Sequence, residues 1–290
     1  MENDVNADVQ RGTSRPTPSP GPPVTCAGPA LEVRGVTKSF GRTRVLDGLD
    51  LTLEWGQVLS VLGPNGSGKT TLLKILATLT RPDAGSIRIA GMDADKAGGR
   101  VRRATGVVMH EPMLYADLTG RENLRFFCRM FGLDAPEERI AESVRRVGMA
   151  DRLDQRMGTL SHGMQKRFSI ARALLHRPQV LLMDEPESGL DQSAIELMRG
   201  VVEATRAGGG AVLLATHNFE VALALGDRLA ILGRGRVAYE ENLRTAGDGE
   251  PVQTSSEAIR DLYYAHTRER PPGAQPKRRP SSQPEWPGDG

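Results

Sequence analysis

The sequence has only two cysteines, Cys26 and Cys128. Two thiols cannot build the disulfide framework of a small secreted domain, so a reducing compartment is the expected setting. Net charge is nearly absent as well: 38 Lys and Arg against 36 Asp and Glu leave +2 over 290 residues. A nucleic-acid binder would show a basic face or stripe, and none is expected here. No apolar stretch reaches the roughly 18–20 residues that a spanning helix needs, and the first residues hold no apolar signal-peptide core. The chain is therefore not expected to cross a bilayer unaided. Internal repeats and heptad runs are missing too. His110 and Glu111 invite a zinc-hydrolase reading, but that pattern needs a second histidine at position 114, which is Leu. Pro112 would also break the helix that carries such a pair.

With 38% hydrophobic residues, the chain has enough apolar material for one globular domain of ordinary core size, with a lobe and tails. Residues 1–30 and 267–290 are rich in Pro, Ser and Gly and are expected to be disordered tails. The basic cluster Lys277-Arg278-Arg279 reads as part of a solvated tail. Between the tails, "ALEVRGVTKSF" and "DLTLEW" alternate like antiparallel strands. "QVLSVLG" is a nearly continuous apolar run, as expected of a strand covered on both faces. The helix "KTTLLKILATL" and the strand "SIRIAG" come next. A helix-rich segment spans about residues 96–178. Thr119-x-x-Glu122 and Asp134-x-x-Glu137 in it each predict a capping box at a helix start. Apolar strands return at "QVLLMD" and "AVLLAT", and "RLAILGRGRVAYE" predicts a closing hairpin. The expected fold is an α/β P-loop core with an antiparallel β-subdomain and an α-helical lobe.

"VLGPNGSGKTT" fits the phosphate-loop pattern through Gly63, Gly68, Lys69 and Thr70. A chain wrapping a polyphosphate must turn its N–H groups inward, which glycine permits. The helix opening at Lys69 would aim its positive end at the phosphates. Lys69 would neutralise terminal oxygens, and the Thr70 hydroxyl would ligate Mg²⁺. Such a loop needs a second carboxylate for the metal at the end of another buried strand. Asp184, after the apolar residues of "VLLMDEP", supplies it, and Glu185 is placed to orient an attacking water.

Between these motifs, "LSHGMQKRFSIARALL" (160–175) resembles the signature motif of ATP-binding-cassette (ABC) ATPases. "ESGLD" (187–191) is similar to their D-loop, and "ATHNFEVALALGDRLAIL" (215–232) to their switch-histidine segment. The resemblance covers residues 31–245, with residues 246–266 left as a short helical extension. It implies that Gly63, Pro64, Asn65, Gly66, Ser67, Gly68, Lys69, Thr70 and Thr71 hold ATP, with Phe40 stacked on adenine. It further implies catalytic roles for Glu185, His217 and Lys69, and Mg²⁺ held by Thr70 and Asp184. Ser161 and Gly163 would meet the γ-phosphate bound by a second subunit, with Asp191 joining the two sites. The implied assembly is a homodimer, or a pair with a second ABC ATPase, on a membrane permease at the cytoplasmic face of the cell membrane.

At His110 the family usually has glutamine, which reaches Mg²⁺ and water at the hinge between core and lobe. A neutral imidazole has one acceptor nitrogen for the same work, so His110 joins the expected nucleotide and metal contacts. The segment from His110 through Leu114, Leu118, Thr119, Glu122, Asn123, Leu124, Arg125 and Phe126 resembles the ATP-binding subunits of haem exporters of cytochrome c maturation. A drug- or lipid-type export ATPase is the alternative. Soluble ABC ATPases are a third reading, though the long coiled coil of DNA-repair types and the paired cassettes of translation factors are absent. Met113, Leu114, Tyr115 and Phe127 are the expected apolar anchors for a permease, unless they pack in the lobe.

Overall fold

The alternating segments form β1 (Leu31–Phe40) and β2 (Thr43–Leu53), which pair antiparallel. The register shifts three times along this pair, and the first shift lies in β1. Val33 faces Leu51 and Val36 faces Leu49, so β1 holds one extra residue there. Gly35 takes the left-handed conformation (φ 57°) in this bulge and donates its N–H to Asp50. The bulge keeps Leu31, Val33 and Val36 all on the buried face. With β4 (Ala84–Ile89) and β5 (Met92–Asp93), these strands make a four-stranded sheet in the order β2-β1-β4-β5.

The second sheet is built on β3 (Val58–Leu62), buried at every residue. It also contains β6 (Thr105–Val108), β7 (Val180–Asp184), β8 (Ala211–Thr216), β9 (Arg228–Gly233) and β10 (Arg236–Asn242). Their order is β10-β9-β3-β8-β7-β6, with only β10 antiparallel. Side chains alternate between two cores. Val180, Leu182, Leu213 and Ala215 share a core with the antiparallel sheet and the helix at 69–76, whereas Leu181, Met183, Val212 and Leu214 pack against the helices of the other face. A strand buried on both sides has no polar face to show, which is why these segments read as unbroken apolar runs. The predicted hairpin is β9–β10, closed by Arg234 and Gly235, both with positive φ, as a tight two-residue turn requires.

The structure is a computed structural model and describes residues 28–244 and 256–267. Most of both expected tails, and the junction at 245–255, lie outside the described residues. Ala30 is not tail but fully buried core. The helices are α1 (Lys69–Leu76), α2 (Gly98–Ala104), α3 (Gly120–Phe131), α4 (Pro136–Arg146), α5 (His162–Leu174), α6 (Gln192–Ala207), α7 (Phe219–Leu225) and α8 (Ser256–Thr267). α8 seats Ile259 and Tyr263 against Leu229, Ile231 and Phe219. The helix-rich segment is interrupted by β6, which belongs to the core sheet.

Of the two predicted capping boxes, one forms. Thr119 and Glu122 exchange both bonds at the start of α3. At α4 the cap is Ala135 (φ 49°) and no side chain caps it. Pro136 occupies the first helical position, which suits its fixed φ and missing N–H, and this shifts the start past Asp134. Glu137 instead pairs with Arg121 and Arg125.

Behind α3, His176 stacks on Phe131 at 4.2 Å and its Nε2 donates to the Thr105 carbonyl at 3.0 Å. Its Nδ1 is buried without a partner. Burial pulls the imidazole below its ordinary value, the Thr105 carbonyl opposes this, and nearby Arg172 and Arg139 add to it. A lowered folded-state value means the unfolded chain takes up the proton first. Stability is therefore full above the unfolded value near 6.5 and falls as pH drops below it. Thermal melts of the wild type should lose midpoint as pH falls below about 6.5, and His176→Gln should flatten that slope. Identical slopes for the two proteins would remove His176 as the cause.

Candidate functional site

The loop 63–68 leaves the buried end of β3 and enters α1 through Gly68, whose φ is 109°. Conformation is not the only reason for glycine here. A Cβ on Gly68 would sit 2.7 Å from the Leu46 side chain and 3.1 Å from the Val45 carbonyl. A Cβ on Gly63 would meet Ser67 Oγ at 2.6 Å and the Leu232 carbonyl at 2.7 Å. The loop is thus wedged between β2 and β9. Lys69 is buried and folds back, donating to the carbonyls of Gly63 (2.6 Å) and Pro64 (3.1 Å). Asn65, Gly66 and Thr70 are exposed. Ser67 Oγ is buried with no hydrogen-bond partner.

Parallel strands all end on one edge, and in an open α/β sheet ligands bind beyond those ends. β3, β8, β7 and β6 are neighbours, so Gly63, His217, Asp184-Glu185 and His110 emerge side by side. Glu185 turns the corner after β7 with φ 45°, held by its N–H to the Ala215 carbonyl at 2.8 Å. One of its carboxylate oxygens lies 3.1 Å from His217 Nδ1 and the other 3.6 Å from His110 Nδ1. Both histidines are mostly exposed, whereas the Glu185 side chain is largely covered. A carboxylate bracketed by two imidazoles is fixed in direction and keeps lone pairs for a water in front of it.

Asp184 is 1% exposed. The Thr70 hydroxyl lies near its carboxylate, yet neither oxygen makes a hydrogen bond of normal geometry. Burial pushes this carboxyl up from its ordinary value. The Thr70 hydroxyl opposes that rise, Glu185 adds to it, and Lys166 and Lys69 oppose it. A buried, unsatisfied carboxylate is costly unless a cation completes it. Asp184 beside Thr70, an oxygen-only donor pair, therefore fits Mg²⁺. Next to it, Thr216 hydrogen-bonds Glu187 through a short contact, and the other Glu187 oxygen is buried and unpaired.

The remaining expected residues lie elsewhere. Ser161 caps α5 by accepting from Met164 N at 3.3 Å. Gly163 packs on the loop before α6: a Cβ there would meet the Gly189 carbonyl at 2.6 Å. Asp191 caps α6, accepting from Ala194 N at 2.8 Å. The described contacts of Ser161, Gly163 and Asp191 stay within these helix starts and do not reach the phosphate loop. Phe40 ends β1, 54% exposed, with Lys38 Nζ 5.5 Å from its ring centroid. A cavity of about 130 Å³ behind α1, lined by Thr78, Arg81, Asp95 and Arg102 among others, is separate from all these groups.

Lys166 and Arg172 escaped the sequence reading. Both are cations of α5 turned inward, and both bond only backbone carbonyls of the segment 107–113 and its neighbours. Their signal was Lys166 falling four residues before Ile170 and seven before Ala173, on a stripe otherwise apolar. Two of the expected anchors also differ. Leu114 and Phe127 pack on the lobe core, the latter beneath Arg172, whereas Met113 and Tyr115 are exposed.

The model of the ABC transporter family matches residues 46–188. The Nod factor export ATP-binding protein I of Burkholderia lata is 39% identical over 212 residues, 72% of this chain and 70% of that one. The chain belongs to the ABC transporter family, as an ATP-binding subunit. The daunorubicin resistance ATP-binding protein DrrA3 of Streptomyces coeruleorubidus is 39% identical over 226 residues, 76% of this chain and 72% of that one. Among solved structures, a dimeric ATP-binding cassette in a post-hydrolysis state bound to ADP and Pi superposes with a TM-score of 0.69 at 28% identity. It covers 74% of this chain and 100% of that chain. The ABC subunit's loop, strand ends and helix caps therefore sit in a fold known to hold nucleotide. No helix among the described residues is long and apolar enough to cross a membrane.

Proposed function

We propose that this subunit hydrolyses ATP to drive a separate membrane permease of a drug- or lipid-type exporter. The observation that carries the hydrolytic part is the bracketed Glu185, set beside the orphaned Asp184 at the mouth of the phosphate loop. Lys69 exchanges its loop carbonyls for terminal phosphate oxygens, and the N–H groups of 63–71 cradle the rest. Thr70 and Asp184, with His110 on the far side, would hold Mg²⁺, which neutralises phosphate charge when bound. Glu185 orients the water and takes up its proton, while His217 fixes the carboxylate and faces the γ-phosphate. Ser161 and Gly163, at the positive end of α5, stabilise the same phosphate from a second subunit, with Asp191 beside the junction. Two copies, or this chain and a second ABC ATPase, thereby enclose two nucleotides, with Phe40 against each adenine.

The exporter class rests on the relatives, which are named for Nod factor export and daunorubicin resistance. The contact face is the exposed cluster Met113, Tyr115, Phe126 and Met130 on the lobe, where Tyr115 and Phe126 meet edge to face at 5.2 Å. Such aromatic and Met side chains are typical anchors of a docking surface. The segment His110–Phe126 favours a second reading, haem export for cytochrome c biogenesis.

Both are tested by capturing partners from detergent-solubilised membranes with the Glu185→Gln protein and ATP, read by mass spectrometry. A drug-exporter-like permease is the expected result. A haem-exporter permease would move the assignment to the second reading, and soluble partners alone would remove transport. A Tyr115→Ala/Phe126→Ala double variant should lose the permease while keeping ATP affinity; equal capture would displace the docking face.

His110→Gln should retain turnover within about threefold, because the amide oxygen offers the same acceptor as a neutral imidazole. Loss of activity in steady-state phosphate release would show that the imidazole does something the amide does not.

A further inference from the structure

Lys166 lies five residues beyond Ser161 on α5 and is fully buried. Its ammonium donates to the carbonyls of Met109 at 3.0 Å and His110 at 3.3 Å, and reaches that of Asp184 at 3.5 Å. Among the described residues no carboxylate oxygen forms an ion pair with it. Burial lowers its affinity for the proton, and Asp184, Glu187 and Glu185 oppose that. A lysine kept so deep is a poor choice for packing alone, since taking a charge out of water is costly. Its geometry suits a different task. An ammonium carries three donors and no acceptor, and here three carbonyls, from the ends of two adjacent parallel strands, converge on it.

Arg172 completes the arrangement. It lies six residues further along α5 and donates to the carbonyls of Val107 at 2.6 Å and Met113 at 3.1 Å. The segment 107–113 is thus fastened at both ends by Arg172 and at its centre by Lys166, all from one helix. His110, whose carbonyl Lys166 holds, stands 3.6 Å from Glu185.

We propose that Lys166 is a positioning residue that locks the hinge segment 109–110 to the Asp184-Glu185 corner, so that α5, which presents Ser161 to one nucleotide, sets the alignment of His110 and Glu185 at the other. This rests on the dimeric ATPase reading above. A shift of α5 as Ser161 engages the second subunit's phosphate passes through the ammonium to the hinge carbonyls, and from there to the His110 imidazole. The coupling runs through hydrogen bonds to backbone, so it is independent of which side chain stands at position 110.

The test uses the full chain with Lys166→Met, which keeps the volume and removes the donors. ATP turnover is measured against ATP concentration, nucleotide affinity with a fluorescent ATP analogue, and hydrogen exchange of the 107–113 peptide by mass spectrometry. The expected result is nucleotide affinity within about threefold of wild type, kcat lower by about 10- to 100-fold, faster exchange at 107–113, and a rate curve that turns from sigmoid to hyperbolic. Val144→Ala, a cavity variant in α4, serves as the control for general destabilisation and should leave the curve's shape unchanged. Lys166→Arg, which retains the donors, should recover the sigmoid dependence. An unchanged kcat and curve shape in Lys166→Met, or the same change in Val144→Ala at equal loss of Tm, would overturn the proposal. If Lys166→Met does not fold, Lys166→Arg and Lys166→Gln are compared instead, and equal exchange at 107–113 in the two overturns it. A wild type that hydrolyses no ATP would sink the ATPase reading instead. The exchange measurement needs no turnover and would still decide whether Lys166 holds the hinge.

Discussion

Glu185→Gln should bind ATP with near wild-type affinity, within about threefold, and hydrolyse it at least about 100-fold more slowly. The amide is isosteric and can still meet His217, now 3.1 Å from a carboxylate oxygen, so the corner after β7 should keep its shape. What it loses is a proton acceptor aimed at the water. Glu185 is held with φ 45° in a conformation that L-residues rarely adopt, and such strain persists where the surroundings over-determine it. In the proposed cycle hydrolysis reopens the dimer, so the variant should accumulate as an ATP-dependent dimer in sedimentation velocity. Single-turnover phosphate release at a rate within threefold of wild type would remove Glu185 as the base.

Asp184→Asn should have effects of opposite sign on stability and on activity. The carboxylate is 1% exposed and both oxygens are without a normal hydrogen bond. Replacing a buried, poorly satisfied charge by a neutral amide should stabilise the nucleotide-free protein by about 1–2 kcal/mol, or roughly 2–8 °C in Tm for a domain of this size. Its folded-state value is raised, so the carboxylate weakens the fold above the unfolded value near 4. The advantage of Asn should grow as pH rises above that value and vanish in acid below it. Mg²⁺-dependent turnover should meanwhile fall by about 100-fold or more, since the metal loses its buried anionic anchor. Paired melts and phosphate-release assays decide it. A lower Tm for Asn at neutral pH would mean that Asp184 is well partnered in the folded chain. Such a trade of stability for function is expected where a site is built to receive an ion.

Much of this site was legible because its chemistry needs residue types in a fixed spacing. Gly63, Gly68, Lys69 and Thr70 announce a phosphate loop by interval alone, and Asp184 follows an apolar run that has to be a covered strand. What the sequence does not carry is distance between remote segments. Nothing in "GPNGSGK" says that Gly68 is also demanded by Leu46, or Gly63 by Leu232, because those contacts arise when two sheets close on the loop. Lys166 was missed because a lysine on a helix is read as solvent-facing, and only the tertiary fold turns it onto three carbonyls. The box at Asp134 failed through local competition. Pro136 is a stronger start signal than an acidic cap, and Arg121 and Arg125 claim Glu137. Leu114 and Phe127 could not be told from surface anchors, since one amphipathic stretch supplies both the lobe's core and its exposed rim.

The back-folded Lys69 has a thermodynamic consequence. Its ammonium already holds two carbonyl ligands, so on the proposed reading an arriving phosphate would displace them and would not meet a bare cation. Association is then a ligand exchange on one nitrogen. The measured heat of ATP binding should fall short of what a count of new phosphate contacts would suggest, because the bonds to Gly63 and Pro64 are surrendered as the new ones form. The same internal ligands give the loop a folded resting shape, so a nucleotide bound there would spend little of its binding energy on ordering the chain.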